Sequence, residues 1–150
     1  MATIQDLYEA FSQLHLRESL PIIITETGPQ IVELVQEQLQ QGNLATGEKI
    51  SPQYVDDEYA KLKNEMNASP GYGIPDAKYT GALYDEMKAE ASGDTYDIES
   101  SVDYAKSKNI LQYGPQLLAM SEDSKQTYCD ETLGPAIQQY ITEKTGLLFE

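Results

Sequence analysis

Tryptophan is absent, cysteine and histidine occur once each, and ten basic residues face 25 acidic ones. Each shortage closes a class of function. The single cysteine, Cys129, excludes an internal disulfide and every multi-cysteine metal ligand set. A formal charge of -15 works against any surface that must neutralise phosphates, because nucleic-acid affinity comes largely from Lys and Arg displacing counterions. Specific nucleic-acid binding is therefore not expected. Pure apolar runs such as Ile22 to Ile24 fall far short of the roughly 20 residues a membrane helix needs. The stretch from Met1 to Leu20 also lacks the basic-then-apolar order of a signal peptide, so the expectation is a chain made and kept in cytoplasm-like solution, with no membrane partner.

At 150 residues the chain is long enough for one domain with a real core. Helical periodicity leads. Ile4, Leu7, Tyr8, Phe11 and Leu14 recur at three- and four-residue steps behind Thr3 and Asp6, a capping-box start, which predicts a helix over 3–16. A second helix is expected over 20–41, with Ile23, Ile24, Ile31, Leu34, Val35, Gln38 and Leu39 on one face, a kink or break at Gly28-Pro29 and a stop at Gly42. Ser51-Pro52 reads as an N-cap with a first-turn proline for a helix over 53–66. Two further helices are expected over 103–113 and 121–144, the latter broken near Gly134-Pro135.

Between Asn67 and Lys78, two prolines and two glycines forbid a regular element, and a long ordered loop of this kind often carries contacts to a partner. Leu83 to Ala91 alternates, placing Leu83, Asp85, Met87, Ala89 and Ala91 on one side and Tyr84, Glu86, Lys88 and Glu90 on the other; after Ser92-Gly93-Asp94 the alternation resumes with Tyr96, Ile98 and Val102. A β-hairpin over 83–102 is the result. The fold class is therefore α+β, with several amphipathic helices packed on a β-hairpin or small antiparallel sheet in one domain spanning 1–150.

Chemistry is sparsely supported. Adjacent carboxylates in Asp56-Asp57-Glu58 point in different directions on a helix and cannot converge on one ion, so they read as a solvated face. His15 reads as the end of the first helix, near its terminal carbonyls, and Cys129, in an acidic neighbourhood, as a half-buried structural residue. Gly71-Tyr72-Gly73 lacks the lysine and the strand-to-helix setting of a phosphate-binding loop and reads as a turn. No catalytic residue, metal ligand or cofactor is assigned, and the chain is not expected to be an enzyme.

Eleven tyrosines carry more information, because tyrosine is favoured where one end of a side chain is packed and the other wet. They fit a boundary layer between core and solvent or a protein interface. Tyr54, Tyr59, Tyr72, Tyr79 and Tyr84, with Phe11, are the candidate interface residues.

Three stretches carry a resemblance: Gln36 to Gly42 (QEQLQQG); Ile50 to Tyr54 (ISPQY) with Glu58 to Lys63 (EYAKLK); and Pro75 to Tyr84 (PDAKYTGALY). In this order they resemble a family of small structural proteins of tailed phages, including the crAss-like group. Thr80-Gly81-Ala82-Leu83 is similar to a signature of tail-completion and head-to-tail joining proteins. Ala77 and Ala82 depart from the residues usual in that family. The resemblance implies a virion location after synthesis in host cytoplasm, a subunit of a rotationally symmetric ring in the neck or upper tail, and portal, connector or tail proteins as neighbours. Such a contact needs two different patches, for which the first helix and the long loop are candidates. The competing expectation is an acidic binding protein, or DNA mimic, that inhibits a host factor. Mimicry would need carboxylates spaced like phosphates on one face, whereas here they are interleaved with lysines and tyrosines.

Overall fold

The computed structural model of the chain describes residues 3–78, 81–101 and 113–146. Helix α1 (Ile4–Ser12) starts on the capping box: Thr3 Oγ1 accepts from the Asp6 N–H at 3.1 Å and Asp6 accepts from the Thr3 N–H at 2.7 Å. The helix ends four residues before the expected limit of 16. His15 takes up a left-handed conformation (φ 45°), which reverses the chain and makes it the residue preceding helix α2 (Leu16–Glu26). It is thus the entry to the second helix and not the end of the first.

Helix α2 runs through Pro21, although the sequence places a helix start there; the hydrogen bond that proline cannot donate would have gone to Arg17, on an exposed turn. At Gly28-Pro29 the expected kink or break is a break. Thr27 closes α2 by donating its hydroxyl to the Ile23 carbonyl at 2.8 Å, and α3 (Gly28–Gln40) begins with Pro29 in its first turn. Ile31, Val35 and Leu39 on α3 are fully buried, as periodicity predicts. Gly42, at φ 73°, ends the run against Pro70, where a Cβ would lie 2.7 Å from the proline ring.

Helix α4 (Asp57–Met66) starts later than expected, capped by Asp56, whose Oδ1 accepts from the Tyr59 N–H at 3.1 Å. Ser51 does not cap it, because the Tyr54 N–H is already given to the Gly73 carbonyl at 2.8 Å, which ties 51–55 to the long loop. Asp57 and Glu58 fall in the first turn, complementing the helix dipole.

The alternation from Leu83 begins too early. Gly81 (φ 91°) opens a single helical turn, α5 (Ala82–Asp85), which buries Leu83 and Tyr84 side by side; Tyr84 was expected on the face away from Leu83. Strand β1 (Met87–Ser92) then pairs antiparallel with β2 (Thr95–Ser100), in a register running from Met87↔Ser100 to Ser92↔Thr95 around Gly93-Asp94. The outer edge of β1 is covered by the α2–α3 junction. Thr25 Oγ1 accepts from the Ala91 N–H at 3.0 Å, and Gly28 sits so close that a Cβ there would be 2.4 Å from the Ala89 carbonyl oxygen.

The helix expected over 103–113 lies outside the described residues except for Tyr113, which is in a turn; Val102 is outside them too. Helix α6 (Glu122–Tyr128) passes through one widened turn (Cys129–Leu133) into α7 (Gly134–Thr145). The expected break at Gly134-Pro135 is thus absorbed: the wider turn gives the Pro135 ring room and lets the Gly134 N–H reach the Cys129 carbonyl. Cys129 is exposed on this turn, not half-buried.

These elements enclose one core of Ile31, Val35, Leu39, Ile50, Leu83, Tyr84, Met87, Ala89, Leu117, Met120 and Tyr128, so the fold is α+β with helices packed on a hairpin.

Candidate functional site

The candidate interface residues divide into three places. Tyr54, Tyr59 and Tyr84 gather under the long loop: the Tyr54 and Tyr59 rings meet edge to face with centroids 5.0 Å apart, and the Tyr84 hydroxyl donates to the Asp76 carbonyl at 2.6 Å. Burial, followed by the nearby Asp76 charge, holds both Tyr54 and Tyr84 above the ordinary tyrosine range. Buried Tyr84 is a core residue and not an interface residue. Tyr72 is exposed on the loop, donating to the Asp57 carboxylate, which Lys61 also meets at 2.9 Å; these bonds lower Asp57, that from Tyr72 most. Tyr79 lies outside the described residues.

Phe11 belongs to the third place. On α1 the side chains of Ile4, Tyr8 and Phe11 recur at i, i+4 and i+7, and they are 88%, 69% and 49% exposed. No residue of α1 is buried. The helix is held to α7 near its end, where the Tyr140 hydroxyl donates to the Leu14 carbonyl. A second set of exposed apolar side chains, Val55, Leu62 and Met66, stands on α4 and the segment leading into it.

One cluster goes beyond the candidates read from sequence. Lys63 and Asp76 form an ion pair at 2.8 Å, with only 7% and 3% of each residue exposed. Lys63 Nζ also donates to the Lys78 carbonyl at 2.5 Å, and Asn67 Nδ2 donates to Asp76 Oδ2 at 3.3 Å and to the Gln40 carbonyl at 2.9 Å. The available signal was register: Lys63 follows buried Ala60 and precedes Asn67 on the inward row of α4. Chemically the cluster ties loop, α4 and the end of α3 together.

Among the described residues no group of three or more His, Cys, Asp or Glu side chains is placed to hold a metal ion, and no helix is long and apolar enough to cross a membrane. No protein-family model matches the chain, and neither a curated protein nor a solved structure matches it.

Proposed function

We propose that this chain is a virion structural protein, a ring subunit of the neck or upper tail of a tailed phage, of the head-to-tail connector or tail-completion type. The observation that supports an assembling role is α1, a capped helix whose apolar row of Ile4, Tyr8 and Phe11 faces outward. An i, i+4, i+7 row is the form in which one helix is received by a groove on another protein. The separate exposed apolar set of Val55, Leu62 and Met66, on α4 and the segment leading into it, supports a second, unlike patch, and unlike patches are what a head-to-tail ring contact requires. The resemblance at 36–42, 50–54 with 58–63, and 75–84 supplies the phage context.

The experiment is solution mass by light scattering, for the protein alone and mixed with the other proteins of the source particle. A defined ring, or a monomer that enters a large complex only with those proteins, is expected. Tyr8→Asp combined with Phe11→Asp should abolish either assembly while leaving the circular dichroism spectrum unchanged. A wild-type chain that stays monomeric and ignores the virion proteins would overturn the reading.

A further inference from the structure

Lys63, Asn67 and Asp76 present together an amine, a carboxamide and a carboxylic acid, the three groups an intramolecular transamidation needs. We propose that Lys63 and Asn67 become joined by an isopeptide bond, with Asp76 moving the protons. The Asn67 N–H bonds to the Lys63 carbonyl at 2.8 Å, so the two residues stand one helical turn apart on the same side of α4, the spacing at which a lysine amine and a short carboxyl side chain can be bridged. Asp76 lies against both: Oδ1 is 2.8 Å from Lys63 Nζ and Oδ2 is 3.3 Å from Asn67 Nδ2. Asn67 Oδ1 accepts the Ser69 N–H at 3.2 Å, a donor placed where charge would develop on that oxygen. Lys63 and Asp76 are both buried, which shields the amine from competing solvent.

The steps balance without an oxidant or cofactor. The Lys63 ammonium passes a proton to the Asp76 carboxylate, and the free amine attacks Asn67 Cγ, forming the new C–N bond and an oxyanion facing the Ser69 N–H. Asp76 then protonates Nδ2 and takes a second proton from Nζ. The Cγ–Nδ2 bond breaks and ammonia leaves, carrying away the proton left on Asp76. A charged lysine and an amide are replaced by one neutral secondary amide linking the end of α4 to its previous turn.

Intact mass spectrometry of the denatured full-length protein tests this directly. Wild type is expected to be lighter than its sequence by one ammonia, and trypsin should fail to cut after Lys63 because its amine is acylated. Lys63→Arg keeps a cation beside Asp76 and should restore the full mass; Asp76→Asn should do the same. A succinimide at Asn67 would lose the same mass but would persist in Lys63→Arg, so persistence there overturns the proposal. Wild type at full sequence mass, cut normally after Lys63, overturns it as well.

Discussion

Ala77 is a non-glycine residue in the left-handed region (φ 57°), next to Asp76, whose Oδ1 accepts the Lys78 N–H at 3.0 Å. Holding a Cβ in that conformation costs on the order of 1 kcal/mol, which the loop bears to keep Asp76 turned toward Lys63. Ala77→Gly should remove that strain at the expense of a more flexible unfolded chain, and we expect the midpoint of urea unfolding to rise or stay level. A clear fall would show that the packing of the Ala77 methyl against the core outweighs the strain. Two tyrosines, buried Tyr84 and half-buried Tyr54, give a pH dependence with a definite sign. Tyr84 and Tyr54 are raised above the unfolded value of about 10, so the folded state holds their protons longer. Their contribution to stability is complete below pH ~10 and falls as pH rises beyond it. Thermal melts from pH 8 to 11 should show the drop, and Tyr84→Phe should flatten its slope. Tyr84 also shows why residue-level reading had limits. A tyrosine inside an alternating apolar and polar run looks solvent-facing, and only the turn imposed by Gly81 folds it inward.

At the level of elements, helices with an apolar stripe and a local start signal were legible. The α1 capping box, the α3 face of Ile31, Val35 and Leu39, and the hairpin around Gly93 all follow from short-range patterns. Element ends were less legible, because they depend on contacts distant in sequence. α4 starts at Asp57 because Gly73 takes the Tyr54 N–H, and α6 runs on into α7 because a widened turn accommodates Pro135. The seat of Gly28 against Ala89 is another such contact. In a free helix, Gly28→Ala would be favoured by roughly 1 kcal/mol of propensity. Here the added carbon would lie 2.4 Å from a backbone oxygen, so α3 must move off β1. We expect a net loss of at least about 2 kcal/mol in chemical denaturation, with hydrogen exchange accelerated first in β1 and the start of α3.

On the scale of the whole molecule, charge decides how copies meet. At -15 each copy repels the next, and the exposed apolar rows on α1 and α4 must overcome that repulsion before they can be covered. Self-assembly should therefore tighten as salt rises from about 0.05 to 0.5 M, where the screening length shortens from roughly 14 to 4 Å. Weaker self-association at high salt would point instead to complementary charged patches pairing between copies. The candidate site was legible in part for the same reason: exposure of Phe11 follows from the wide apolar arc of a helix that buries little, whereas the Lys63 and Asp76 pair joins α4 to a loop that no local pattern could dock.

The covered edge of β1 bears on how such a protein survives before it is used. A bare strand edge templates further strands, and a protein produced in many copies would be prone to form fibrous aggregates through it. With Thr25 occupying the Ala91 N–H and Gly28 pressed on the Ala89 carbonyl, β1 offers no backbone ladder there for a stray chain to extend. Recognition on that side is left to side chains, so aggregation by strand addition has no starting point along this edge of the hairpin.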